Sequence, residues 1–196
     1  EREIGTCVLN FGADTTEIAV YKFGKLSFFK ILPIGSSFIT SRIAIFLKTD
    51  FETAERIKIE FGNCFGSSKK QKIEIGENLT LSFTLNSLAR VIRESLGKIL
   101  SEVKKTLKDY FKTQELPGGI VITGGGAKLR GICEFTRKRL SAYTRLGKPN
   151  FIFGLDPDPS FSLAVGLILE GLEMEKEFRG EGFFEKLKQF FKNFLP

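Results

Sequence analysis

The chain has 196 residues, with 30 Lys plus Arg against 23 Asp plus Glu, three Cys, no His and no Trp. That length suits one domain or two small ones sharing an interface, and an apolar share of 42% beside 27% charged residues supplies a core and excludes whole-chain disorder. Without His there is no His-based general base, no Ser-His-Asp or Cys-His nucleophile system and no His-ligated metal centre. No run approaches the roughly 20 apolar residues of a spanning helix. The chain opens Glu1-Arg2-Glu3-Ile4, with neither an initiator Met nor an apolar signal region, and reads as a piece cut from something longer. Cys7, Cys64 and Cys133 are odd in number and widely spaced, which fits reduced cytosolic thiols rather than a disulfide scaffold or a zinc site. A net charge of +7 and a pI near 9.3 point to an anionic partner: nucleic acid, nucleotide or acidic lipid.

In chain order, residues 4–9, 17–22 and 26–32 are apolar or alternating runs separated by turns, which predicts an antiparallel meander of three strands. Ser36 or Ser37 is placed to cap a helix carrying Phe38, Ile39, Ile43, Ile45, Phe46 and Leu47, and Thr49 or Asp50 to cap a second over 51–61 that stops at Gly62. A hairpin is expected over 72–76 and 79–85. From Asn86 the apolar period lengthens to about 3.6, giving a long helix to about 112 with Arg90, Arg93, Lys98, Lys104, Lys105 and Lys108 off its apolar face. Pro117-Gly118-Gly119 breaks it, and 120–123 reads as a buried parallel strand. Then follow a helix around 129–141, a strand at Phe151–Phe153, a helix near 160–171, a polar stretch over 173–182 read as a linker, and a last amphipathic unit. The order predicts an α/β (α+β) fold with an inserted subdomain.

Four constellations carry chemistry. In the turn Asn10–Thr16, Gly12 lets consecutive amides point into the bend while Thr15 and Thr16 add hydroxyls, a nest able to cradle phosphate and otherwise only a turn between strands. Thr123-Gly124-Gly125-Gly126-Ala127-Lys128 lies between a strand and a helix, where three glycines let a planar or phosphorylated ligand reach the backbone. It matches neither the P-loop nor the dinucleotide glycine spacing. Glu55 and Lys58 share a helical face at i, i+3, ordinarily a solvated ion pair. Finally Phe183, Phe184, Leu187, Phe190, Phe191, Phe194 and Leu195 fall on one helical face, with Lys186, Lys188 and Lys192 elsewhere on the helix, as in an in-plane membrane anchor. The alternative is a terminal helix packed on its own domain.

Taken in order, N-F-G-A-D-T-T-E-I-A, L-P-I-G, F-E-T-A-E-R-I-K and G-I-V-I-T-G-G-G-A-K-L-R-G-I resemble the actin/Hsp70 ATPase superfamily, most nearly the FtsA family of bacterial actin homologues, over its second half. The resemblance implies an actin-like ATPase half: a mixed sheet with flanking helices over 1–45 and 115–172, an inserted small α/β subdomain over 46–114, a linker and a C-terminal amphipathic helix over 183–196. It implies ATP with Mg²⁺ in the longer parent, held by Gly12, Ala13, Asp14, Thr15 and Thr16, by Glu55 and Lys58, and by Gly124, Gly125, Gly126 and Lys128. Little nucleotide is expected to bind this piece alone. Asn10 stands where the superfamily often has Asp, and Ala13-Asp14 where it has Gly, so at most weak hydrolysis and no catalytic residue are expected.

The implied role is a cell-division adaptor tethering FtsZ filaments to the inner face of the cytoplasmic membrane at the division site and assembling into actin-like filaments itself. Its insert would receive the acidic FtsZ C-terminal tail through Arg90, Arg93 and Lys98, with Ser95 where many relatives carry Arg, and its last helix would meet anionic lipids. The alternative is a pilus-assembly-type scaffold that binds a partner's peptide tail. Half of a sugar kinase or chaperone ATPase lacks an identifiable catalytic carboxylate and sugar pocket. No nucleic-acid partner is expected, because the basic residues are not interleaved with stacking aromatics.

Overall fold

The computed structural model of the chain describes residues 3–75, 79–110, 116–149 and 156–178. The three expected strands form as β1 (Thr6–Phe11), β2 (Thr16–Lys22) and β3 (Lys25–Leu32), with β2 antiparallel to both neighbours. Phe23 and Gly24 between β2 and β3 both take positive φ (51° and 74°), the twist that closes a two-residue hairpin.

Next come α1 (Ser36–Leu47) and α2 (Phe51–Phe61). The expected serine cap on α1 is corrected: Gly35 occupies the cap position without a side-chain bond. The amides of Ser36 and Ser37 instead donate to the carbonyls of Gly12 and Ala13 at 2.9 and 2.8 Å. Backbone from another turn thus satisfies the helix start, so no hydroxyl is needed there. Asp50 does cap α2, accepting from the Thr53 amide at 2.8 Å, and Gly62 ends it.

The hairpin is β4 (Lys70–Ile75) and β5 (Leu79–Thr84), which pair as a separate two-stranded sheet. It begins two residues earlier than the sequence suggested. α3 (Leu85–Tyr110) follows at once, its start fastened by reciprocal Thr84 and Ser87 bonds, including Ser87 amide to Thr84 Oγ1 at 3.1 Å. β6 (Ile120–Thr123) is buried throughout and runs parallel to β1 and to β7 (Thr144–Leu146), so the main sheet has the order β3-β2-β1-β6-β7. One cluster of buried residues links the sheet to α1, α2 and α3 and reaches Phe83 of β5, whose ring meets Phe61 edge-on at 5.9 Å. α3 serves both units, because Leu96, Ile99, Leu100 and Val103, from its middle onward, gather with Leu9, Phe11 and Ile122 of the main sheet.

The last helices are α4 (Ile132–Leu140) and α5 (Ser162–Phe178). α4 starts later than expected because Gly131 takes the left-handed conformation (φ 78°) as its cap. α5 runs through 173–178, correcting the linker reading of those residues. Glu, Met and Lys favour helix, and a polar stretch without Gly or Pro does not break one. β7 went unforeseen, while the strand expected at Phe151–Phe153 and the amphipathic unit of 183–196 lie outside the described residues. No helix among the described residues is long and apolar enough to cross a membrane.

Candidate nucleotide-binding cleft

The sheet brings its β1–β2 turn and its β6–α4 connection to the same edge, and α1 and α2 close the third side. The result is a cleft of about 450 Å³ whose lining includes Ala13, Glu55, Lys58, Gly125, Gly126 and Lys128. All three segments singled out in the sequence therefore meet, although they are separated by some forty to seventy residues.

The β1–β2 turn is more self-contained than a free phosphate nest. The Gly12 amide is spent on the Thr15 carbonyl at 2.9 Å, and the Gly12 and Ala13 carbonyls hold α1. Thr16 is buried, with its hydroxyl donating to the Ile34 carbonyl at 2.7 Å, so it fastens the β3–α1 connection rather than facing the cleft. Asp14 is exposed and Thr15 half-buried, and of this turn only Ala13 lines the cleft. The Asn10 amide donates to Glu17 Oε2 at 3.0 Å.

The glycine run divides its labour. A Cβ on Gly124 (φ 88°) would stand 2.4 Å from Asn10 Oδ1, and one on Gly126 the same distance from the Phe11 ring, so both glycines allow close packing on β1. Nothing lies within 4 Å of a Cβ on Gly125, which leaves its backbone open to the cleft. The Gly124 amide itself donates to the Pro159 carbonyl at 3.0 Å.

On the α2 wall the solvated-pair reading of Glu55 and Lys58 is corrected. Lys58 Nζ lies 2.7 Å from Glu55 Oε2 with only 10% of its side chain exposed. It also donates to Thr40 Oγ1 at 2.8 Å and to the Ser36 carbonyl at 3.3 Å, while Thr40 donates to Glu55. The ammonium is thereby fixed at the cleft floor among acceptors from α1, a role for Ser36 and Thr40 that no sequence pattern announced. Lys128 pairs with Asp158 at 2.7 Å, and that ammonium, with the Ser160 hydroxyl and amide, holds the Asp158 carboxyl well below the usual carboxylate range. Asp158, Ser160 and Arg130 were missed in the sequence. Asp158-Pro159-Ser160 does carry a helix-start signal, with Asp as cap and Pro at the first position.

Of the three basic residues expected at a partner surface, Arg90 and Lys98 are exposed on α3. Arg93 is half-buried, and its guanidinium donates to the Cys64 carbonyl at 2.9 Å, so it holds the 63–66 segment against the helix. Ser95 is buried and donates to the Val91 carbonyl at 2.7 Å.

A five-stranded mixed sheet flanked by helices, with the β1–β2 turn and the β6–α4 connection meeting at one edge, is the fold of one half of an actin-like ATPase. Comparison with solved structures bears this out. MreB5 of Spiroplasma citri, in a crystal structure bound to ADP, superposes with a TM-score of 0.74 at 17% identity, covering 91% of this chain and 57% of that one. A PilM-PilN type IV pilus biogenesis complex gives 0.67 at 23% identity, covering 87% of this chain and 47% of its counterpart. Residues 7–166 match the sequence profile described as cell division protein FtsA. The chain is 33% identical over 89% of its length to cell division protein FtsA of Neisseria meningitidis serogroup B and 34% identical over 86% to that of Bacillus subtilis. It belongs to the FtsA family. It spans 44% and 39% of the length of those two relatives.

Proposed function

We propose that the protein of which this chain forms part is a nucleotide-controlled division adaptor that joins FtsZ filaments to the cytoplasmic face of the inner membrane and assembles as an actin-like filament. The observation that carries the reading is the convergence of the Ala13 turn, the Glu55–Lys58 pair and Gly125 on one cleft in a chain of the FtsA family. ATP fits that cleft: Gly125 has open space where a Cβ would stand, and the fixed Lys58 ammonium supplies positive charge. In this arrangement the adenosine lies over Gly125-Gly126, the Glu55 carboxylate faces the ribose hydroxyls, and the phosphates turn toward Ala13. Mg²⁺ would accompany the nucleotide, with the phosphates supplying part of its octahedral oxygen shell.

The remaining half of the family's length would close the cleft and cover α5, whose Leu163, Leu167, Ile168 and Leu172 are all exposed in this chain. The unit spanning 46–114 would receive the acidic FtsZ tail, with Arg90 and Lys98 as the exposed cations. The 183–196 segment would anchor the assembly in the lipid interface. The likeness to a PilM-PilN complex keeps a second reading, a pilus-type scaffold holding a partner's cytoplasmic tail, but the family profile favours division.

Co-sedimentation of FtsZ with anionic vesicles tests the adaptor role. FtsZ should pellet with the vesicles when the chain is present and stay in the supernatant when residues 183–196 are deleted. Equal pelleting with and without the chain would sink the adaptor reading.

A further inference from the structure

The second half of α3 and the exposed side of α4 enclose a shallow groove of about 450 Å³, lined by Ser101, Lys104, Lys105, Lys108, Asp109 and Arg139. Four cations face one carboxylate there. Residues 101, 104, 105 and 108 follow one stripe of the helix, so Lys105–Lys108 and Lys104–Lys108 are like-charge neighbours at i, i+3 and i, i+4, a spacing that weakens a helix. A cation in the last turn answers the helix dipole, which accounts for Lys108. Lys104 and Lys105 lie a turn further in, and none of the three lysines is in an ion pair among the described residues. Arg139 is steadied by a hydrogen bond to Ser101 Oγ at 3.2 Å, while the next cation along α4, Lys138, is already paired with Glu134 at 2.7 Å. The groove therefore concentrates uncompensated positive charge on an otherwise polar lining.

That lining also says what it suits. An extended peptide is held by pockets for alternate side chains or by pairing with a sheet edge, and among the described residues the groove has neither an apolar wall nor a strand. We propose that the α3–α4 groove is a membrane contact that takes the phosphate-bearing headgroups of anionic phospholipids. This rests on the membrane-surface reading above, since the tail anchor would bring the groove to the lipid at high effective concentration.

The test uses the full chain with vesicles of phosphatidylcholine alone and of phosphatidylcholine mixed with phosphatidylglycerol, which carries the anionic headgroup. Lys105 and Lys108 are exposed, so Lys105→Gln/Lys108→Gln should fold as the parent does, checked by circular dichroism. The double variant should bind the anionic vesicles about tenfold more weakly, with a shallower dependence on salt, and bind the neutral vesicles unchanged. Parent-like binding and salt dependence on anionic vesicles would overturn the proposal, as would an equal loss on both vesicle types. A decaglutamate peptide that binds the parent and not the variant, while vesicle binding is untouched, would overturn it in favour of an acidic peptide. Phe191→Glu separates this from the tail reading. If the tail anchors and the groove does not, only Phe191→Glu releases the protein; if the groove binds and the tail does not, only the lysine variant does.

Discussion

At the scale of single residues, three consecutive glycines do different work. Gly124 and Gly126 let the β6–α4 connection lie against Asn10 and Phe11, and Gly124 also needs its positive φ. Gly124→Ala should cost stability on the order of 1–3 kcal/mol from backbone strain alone, with the steric clash in addition, measured by urea unfolding. Gly125→Val meets open space and should leave the unfolding midpoint nearly unchanged, while nucleotide affinity, read by calorimetry in a chain extended to the relatives' full length, should fall about tenfold or more. Unchanged affinity would remove the nucleotide from Gly125. The thiols give a pH prediction. Burial pushes the Cys7 and Cys64 thiols up to about 12, from an ordinary thiol value of 9.0. Above 9 the unfolded chain releases these protons while the folded chain keeps them, so their stabilising contribution is complete below pH 9 and is lost as pH rises toward 12. Each thiol should make stability fall by about 1.4 kcal/mol per pH unit within that window. Cys64→Ala should flatten the decline measured by urea unfolding between pH 9 and 10.5, and an unaltered slope would show that Cys64 is not shielded in solution.

At the scale of elements, α3 shows what could and could not be read in advance. Its 3.6-residue apolar period is plain in the sequence, and so are the meander, a cap for α2 at Thr49 or Asp50 and the buried β6, because each rests on local pattern. What the period could not reveal was the use of the polar positions. Arg90, Arg93 and Lys98 look alike in the sequence, yet Arg93 is committed to the Cys64 carbonyl, a partner 29 positions away. The same holds for Lys58, whose acceptors come from α1, and for α1's cap, which comes from the β1–β2 turn. The cleft's three segments were visible as motifs, but its fourth side at Asp158–Ser160 depended on a long-range fold. Segregating these roles gives a prediction for the partner surface. Arg90→Glu/Lys98→Glu should weaken binding of an FtsZ tail peptide, most at low salt, and leave stability within about 0.5 kcal/mol of the parent. Arg93→Ala should instead destabilise the chain by about 1–3 kcal/mol, because it strands a carbonyl. Fluorescence anisotropy with the peptide and urea unfolding of both variants separate the two effects, and unchanged peptide binding by the double variant would mean that its cations are merely solvated.

At the scale of the molecule, the most telling surface is α5. Its Leu163, Leu167, Ile168, Leu169 and Leu172 are exposed together, with Leu167 at 67%, and Val165 is its buried aliphatic contact among the residues whose burial is described. Side chains scattered singly on a surface need no account, but five exposed aliphatic side chains spread around one helix leave most of its apolar surface uncovered. The chain spans less than half the length of its FtsA relatives, and the cleft lined by Ala13, Lys58 and Gly125 lies at one edge of this half of the fold. In the proposed arrangement both surfaces meet the remaining half, so the same substitution should have different costs in the two contexts. Leu167→Glu/Ile168→Glu exchanges exposed apolar groups for exposed carboxylates in the 196-residue chain, where stability should move by no more than about 0.5 kcal/mol for each site. In a chain extended to the relatives' full length, the carboxylates would be forced into an apolar contact, at several kcal/mol or through separation of the two halves. Urea unfolding of both lengths measures the difference directly. Equal, small costs in both would show that α5 stays in solvent in the longer protein and that the remaining half packs elsewhere.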